Sequence, residues 1–210
     1  MFVKICGIQT LEAAQTAIQQ GADLLGFIFA DSKRYIAPEK ARVIIDTIPE
    51  HVKSVGVFVN ESISHMESMA ALAGLDYIQL HGNESPDVAA QLSFPVIKAF
   101  SADADKLAEI KQYPCDYILL DHPSGGGTGE AFDWRQFKTF HQELPPFFLA
   151  GGLTPENVQR AIRLVRPFGV DVSSGVETFG EKDSNKIQRF IMKAKMERMK
   201  KHDRNENEVQ

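Results

Sequence analysis

Cysteine is scarce in this 210-residue chain: only Cys6 and Cys115 occur, far apart and in no Cys-x-x-Cys pair. That excludes a disulfide framework, so cysteine here serves chemistry or packing. No apolar run nears the ~20 residues that span a bilayer. The N-terminus also lacks the basic region, apolar core and small-residue cleavage site of a secretory leader, so the expectation is a cytoplasmic chain with no membrane partner. A formal net charge of -5 gives no sign of a nucleic-acid surface. The six histidines show no His-x-x-x-His or similar spacing, so no metal is expected. Gly7-Ile8-Gln9-Thr10 holds a single glycine after the first apolar run. Without Gly-x-Gly spacing there is no dinucleotide fingerprint, and nothing resembles a nicotinamide or flavin site. A metabolic enzyme, monomer or homodimer, acting on a small molecule fits these bounds.

What the chain does contain is a rhythm. Short β-branched or aromatic runs alternate about eight times with segments of helical periodicity, which predicts a parallel sheet. The strands fall at Val3–Cys6, Leu24–Phe29, Ser54–Val59, Tyr77–Leu80, Val96–Phe100, Tyr117–Leu120, Phe147–Ala150 and Val170–Ser173. Helices are expected at Leu11–Gln20, Pro38–Thr47, Ser64–Ala73, Asp87–Leu92, Ala104–Gln112, Trp134–Phe140, Pro155–Val165 and Ser184–Lys201. Gly21 and Gly74 serve as helix stops, and Thr154 caps a helix that has Pro155 at its first position. Eight βα units in about 200 residues predict a single-domain α/β fold, the (β/α)8 or TIM barrel, over residues 1–200. Residues 201–210 form a charged tail whose one apolar residue is Val209, expected to fray into solvent.

Barrel enzymes place their chemistry at the C-terminal ends of the strands. Cys6 ends the first strand and is followed by Gly7; Asp121 closes Tyr117-Ile118-Leu119-Leu120, shortly before Gly125-Gly126-Gly127-Thr128-Gly129, a stretch suited to a lid. A thiol and an acid at two strand ends are the parts of a proton-transfer site. Ala150-Gly151-Gly152-Leu153 and Ser173-Ser174-Gly175-Val176 follow the last two strands, where this architecture usually holds a phosphate on backbone N–H groups. Arg34, after the second strand, offers a fork for a carboxylate, and His81, after the fourth, lines the same mouth. Alternation along strands places Lys4 with Cys6 and Asp171 with Ser173. Closure then brings Lys4 against Asp171 inside the barrel, with Lys4 adding positive potential beneath the thiol. Cys115 lies before its strand, at the opposite rim, and is read as inert.

Lys4-Ile5-Cys6-Gly7, Gly26-Phe27-Ile28-Phe29, Ser32-Lys33-Arg34-Tyr35, Gly56-Val57-Phe58-Val59-Asn60, Gln79-Leu80-His81-Gly82, Gly126-Gly127-Thr128-Gly129 with Phe132-Asp133-Trp134, Ala150-Gly151-Gly152-Leu153 and Asp171-Val172-Ser173-Ser174-Gly175-Val176-Glu177 together resemble the phosphoribosylanthranilate isomerases of tryptophan biosynthesis. The match covers nearly the whole chain; the segment Asp121-His122-Pro123-Ser124 before the glycines departs from it slightly.

The resemblance implies an Amadori rearrangement of a phosphoribosyl aminoaldose to an aminoketose, with no cofactor. It implies Asp121 as the acid that opens the sugar ring and Cys6, as thiolate, as the base. It also implies Arg34 on the anthranilate carboxylate and the backbone at Gly152, Ser174 and Gly175 on the phosphate. Substrate contacts are expected from Arg34, His81, Gly151, Gly152, Asp171, Ser173, Ser174 and Gly175. The chemistry asks for a thiol pushed below its usual ~8.5 and a carboxyl held partly protonated. The histidine-pathway isomerase is the nearest rival and carries aspartate where Cys6 stands. A non-catalytic phosphosugar-binding barrel would keep the loops and could dispense with both Cys6 and Asp121.

Overall fold

A computed structural model describes residues 1–101, 107–121 and 144–207, with side chains up to residue 196. The expected lid Gly125–Gly129, the helix Trp134–Phe140 and the first residues of the Ala104–Gln112 helix lie outside the described residues.

Eight parallel strands, β1 (Phe2–Cys6), β2 (Leu24–Ile28), β3 (Lys53–Phe58), β4 (Tyr77–Leu80), β5 (Val96–Ser101), β6 (Tyr117–Asp121), β7 (Phe147–Leu149) and β8 (Gly169–Val172), close in sequence order. β1 pairs with β8 in the register Lys4↔Asp171 and Ile5↔Val172, which completes the ring. The surrounding helices are α1 (Leu11–Gln19), α2 (Pro38–Ile45), α3 (Ile63–Ala73), α4 (Pro86–Gln91), α5 (Leu107–Gln112), α6 (Val158–Val165) and α7 (Ser184–Asn207). The helical backbone of α7 continues past the expected end at Lys201.

Local chemistry explains the boundaries. Thr10 Oγ1 accepts the Ala13 N–H at 3.2 Å to open α1, Pro38 stands at the start of α2, and Gly74 ends α3 in the left-handed region at φ 74°. One expectation fails. Thr154 does not cap α6: its hydroxyl accepts Glu156 N–H at 3.2 Å within a turn, and the helix begins only at Val158. Asn157 intervenes, because its amide donates to the Gly152 carbonyl at 2.8 Å while its Oδ1 accepts Thr154 N–H at 2.8 Å, tying the residues after β7 into a loop.

A repeated device sets the register at the N-terminal rim. Asp23, Asp76 and Asp116 each stand one residue before an even-numbered strand, and each accepts an N–H near the start of the strand before it. The bonds run from Val3, Ser54 and Val96 at 2.7, 2.8 and 2.8 Å. Above them the barrel is plugged by Tyr77, Tyr117, Phe148 and Phe168 in mutual ring contact, with Leu24, Val55, Ile97 and Leu119 over them. This apolar filling leaves the opposite rim for polar groups. Between barrel and helices lies the larger core, to which α7 contributes the fully buried Ile187, Phe190, Ile191 and Ala194 where it packs on α1, α6 and β1.

A small antiparallel hairpin absent from the expected elements follows β8: β9 (Glu177–Thr178) and β10 (Glu181–Lys182). Phe179 and Gly180 turn its tip with φ 53° and 88°.

Candidate active site

Cys6 is the last residue of β1, and Val3 and Ile5 pack in the outer core, so Lys4 and Cys6 take the inward register. Gly26 of β2, paired with Cys6, makes room for both. A Cβ there would stand 2.8 Å from Cys6 Sγ and 3.1 Å from Lys4 Nζ. The Gly26 carbonyl accepts the N–H groups of both Gly7 and Ile8 at 2.9 Å, which fixes the chain leaving the thiol.

Lys4 is wholly buried, with Nζ 2.9 Å from Asp171 Oδ1, the pairing expected from barrel closure. Burial alone would depress the ammonium, but Asp171 and Cys6 outweigh it and raise its pKa to about 12. Lys4 therefore stays charged. The thiol does not follow the sequence expectation. Cys6 is 6% exposed, and burial, the largest influence, raises its pKa above the ordinary thiol value. Lys4 and Lys182 pull it down and Asp171 pushes it further up. The reason is that burial outweighs both lysines, while Asp171, the counter-ion of Lys4, takes back part of what Lys4 gives. Cys115, at the other rim, is raised to about 11 chiefly by burial, as suits an unreactive thiol.

Asp121 ends β6 on the same rim as Cys6, and Leu119 and Tyr117, two and four residues earlier, pack in the barrel interior, so the carboxylate faces inward. His81 follows β4 and places Nε2 3.4 Å from Asp121 Oδ2. Buried Gln79, also inward, sets its Nε2 2.8 Å from His81 Nδ1. Gln79 thus holds one edge of the ring while the Nε2 edge faces Asp121. Glu84 and Lys98, both buried and 2.8 Å apart, hold the loop bearing His81. Lys98 donates to the Gly82 carbonyl at 2.6 Å, and Glu84 accepts the Gly82 N–H at 3.0 Å and the Asn60 N–H at 2.8 Å.

The two glycine-bearing loops meet. Gly151 and Gly152 take φ 83° and 65°, and a Cβ on Gly152 would meet nothing within 4 Å. Glycine is needed there for its backbone, and the space beside it is open. A Cβ on Gly175 would run into the Leu153 carbonyl. Ser174–Val176 form one 3₁₀ turn packed against the β7 loop, so Gly151, Gly152, Ser174 and Gly175 share one corner of the rim.

Arg34 is not waiting for a ligand with an empty fork. Its Nε and Nη2 bind Glu177 Oε1 and Oε2 at 2.6 and 2.8 Å. Glu177 also receives Lys182 Nζ at 2.7 Å, and Lys182 donates to the Ser173 carbonyl at 3.1 Å. Burial would raise the Glu177 carboxyl, yet Arg34 and Lys182 bring it down to about 2. The Arg34 Cδ methylene, Ser173 Oγ and Lys182 Nζ all converge beside Gly7.

Three groupings thus emerge: Cys6 with Lys4, Asp171, Arg34 and Ser173; His81 with Asp121; and the glycine–serine corner. Sequence reasoning gave no site role to Gly26, Gln79, Glu177 or Lys182, although the first three stand in motifs that carry the family resemblance, and Glu177 and Lys182 flank a Phe-Gly turn in Glu177-Thr178-Phe179-Gly180-Glu181-Lys182.

An inward thiol, an inward carboxylate and two small-residue loops on the C-terminal rim of a closed barrel define a (β/α)8 enzyme built for proton transfer. Comparison with known proteins narrows this. Residues 3–193 match the family model for N-(5'phosphoribosyl)anthranilate (PRA) isomerase. N-(5'-phosphoribosyl)anthranilate isomerase of Desulforudis audaxviator is 49% identical over 199 residues, covering 92% of this chain and 97% of that one. The enzyme of the same name from Oceanobacillus iheyensis is 46% identical over 197 residues, 91% and 95% of the two chains. The crystal structure of phosphoribosyl anthranilate isomerase from Thermotoga maritima superposes with a TM-score of 0.86 at 43% identity, over 93% of this chain and 99% of that one. Another structure of phosphoribosyl anthranilate isomerase, in complex with reduced 1-(o-carboxyphenylamino)-1-deoxyribulose 5-phosphate, gives 0.83 at 41% identity over the same shares. The chain belongs to the phosphoribosylanthranilate isomerase family and is an isomerase.

Proposed function

We propose that the chain carries out the Amadori rearrangement of N-(5-phosphoribosyl)anthranilate to 1-(2-carboxyphenylamino)-1-deoxyribulose 5-phosphate, in tryptophan biosynthesis, with Asp121 as general acid and Cys6 as general base. The observation that carries this reading is the inward thiol and inward carboxylate closing β1 and β6 on one rim, in a family with a member bound to the reduced product.

Protonated Asp121 gives its proton to the furanose ring oxygen as the C1–O bond breaks, and the anthranilate nitrogen lone pair forms the C1=N bond. The resulting iminium acidifies the hydrogen on C2. Cys6 as thiolate removes that proton, and the C2–H electrons become the C1–C2 double bond of an enolamine. Loss of the C2 hydroxyl proton and protonation at C1 give the ketone. The substrate nitrogen is the electron sink throughout, so no cofactor enters. Because burial keeps the resting thiol protonated, the thiolate is the minor form and the cations around it set how much is present.

The phosphate is assigned to the backbone at Gly151, Gly152, Ser174 and Gly175, with Ser173 at its edge. Arg34 is assigned to the anthranilate carboxylate. Since Glu177 holds Nε and Nη2, the substrate either takes the remaining edge of the guanidinium or replaces Glu177, which keeps Lys182 as partner. His81 orients Asp121 and reaches the substrate at its ring oxygen. Asp171 is assigned to a sugar hydroxyl through the oxygen that Lys4 does not hold.

Mixing the purified chain with phosphoribosylanthranilate and following the loss of anthranilate fluorescence tests the reading. Turnover insensitive to a metal chelator is expected. Absence of turnover, with binding of the reduced product retained, would reduce the chain to a phosphosugar-binding barrel.

A further inference from the structure

Cys6 has to lose a proton inside a site that disfavours anions, and four charged side chains of four structural elements act on it among the described residues: Lys4 of β1, Asp171 of β8, Arg34 of the loop after β2 and Lys182 of the hairpin, with Glu177 behind the last two. Their pairing decides which one matters. Lys4 is matched one to one by Asp171, which takes back part of the help Lys4 gives the sulfur. In the second group, two cations share one carboxylate: Arg34 and Lys182 both bind Glu177. This group carries one positive charge in excess, and its side chains are 16%, 5% and 6% exposed for Arg34, Lys182 and Glu177, where water screens little. Lys182 Nζ is anchored on the Ser173 carbonyl and hydroxyl and lies 3.4 Å from where a Cβ would sit on Gly7, the residue after the thiol.

The geometry points to Lys182 as a positioning residue of the reaction: the hairpin after β8 places this ammonium beside the chain leaving Cys6, and its charge joins that of Lys4 in setting the thiolate population. Glu177 holds the ammonium there and in doing so tempers it. The inference deepens the reading of Cys6 as the base, but concerns the sulfur alone and is testable without turnover.

The test is a pH titration of thiolate absorbance near 240 nm in a Cys115→Ser background, with the Cys6→Ala/Cys115→Ser chain as blank. Lys182→Gln should lower the thiolate fraction on the rising limb about tenfold and move the midpoint upward, as loss of a charge neighbour does; Lys182→Arg should restore most of it. Glu177→Gln should move the midpoint the opposite way, since it removes the tempering negative charge. Opposite shifts cannot come from general loosening, which would admit water and favour the thiolate in both. An unmoved midpoint in Lys182→Gln overturns the inference. If that chain fails to fold, Glu177→Gln is set beside the charge-keeping Glu177→Asp: a downward shift in the first that the second lacks supports the inference, and an upward, absent or equal shift overturns it. A shifted titration in a chain without isomerase activity would leave this inference standing while removing the proposed function.

Discussion

Replacing Gly26 by alanine puts one methyl group against the Cys6 sulfur and the Lys4 ammonium. The added Cβ would sit 2.8 Å from Cys6 Sγ, 3.1 Å from Cys6 Cα and 3.1 Å from Lys4 Nζ. Unstrained contacts of this kind need about 3.5–4.0 Å, so the sulfur must retreat by roughly 0.7 Å or more. Lys4 cannot yield freely, because Asp171 holds it at 2.9 Å in a buried pair, and Gly26 cannot yield because its carbonyl carries the Gly7 and Ile8 N–H groups. The displacement therefore falls on the thiol. A misplacement approaching 1 Å costs on the order of 100-fold in rate. Overpacking costs about 1–3 kcal/mol of stability, partly offset by the lower backbone entropy of alanine in the unfolded chain. Steady-state fluorescence kinetics of Gly26→Ala should show kcat down by about 100-fold with KM within a few-fold of the parent. A kcat within threefold of the parent, in a chain of normal melting temperature, would refute the placement of the reacting sulfur against Gly26.

Further outcomes follow from other contacts. Gly175→Ala drives a methyl group into the Leu153 carbonyl and should raise KM at least ~10-fold by parting the two loops; an unchanged KM would detach that corner from phosphate binding. Lys4→Met strands Asp171 and should cost about 3–5 kcal/mol in urea unfolding, most of it recovered in Lys4→Met/Asp171→Leu; equal losses in single and double variants would contradict the pairing. Glu177 is depressed to about 2 in the folded chain, against ~4.3 when unfolded. Its stabilisation is thus present above about pH 4 and lost as pH falls through 2, so Glu177→Gln should flatten the acid decline of stability in that window. An equally steep decline in the variant would remove Glu177 from the acid response.

The barrel was legible because its signals are local. Tyr77–Leu80 is bounded by Gly74 and His81-Gly82, and the predicted span is the observed one. Strand alternation plus closure sufficed to pair Lys4 with Asp171 across 167 positions. The hairpin of Glu177 to Lys182 escaped because two-residue strands have no periodicity to read. Thr154 misled for a related reason: Thr-Pro is a sound helix opening by itself, but Asn157 binds back to Gly152 and Thr154 and delays the helix. Nothing along the chain shows that Arg34 would meet Glu177, 143 residues away. The Cys6 thiol is the instructive miss. A neighbouring lysine suggests a lowered pKa, yet burial and the lysine's own counter-ion decide the direction, and both are properties of the closed barrel.

The most direct test of the account is turnover by Cys6→Ala and Asp121→Asn, set beside each variant's affinity for the reduced product. The division of labour between base and acid predicts kcat lower by ~100-fold or more in each with affinity retained. A near-parental kcat in either variant would contradict the role assigned to that side chain.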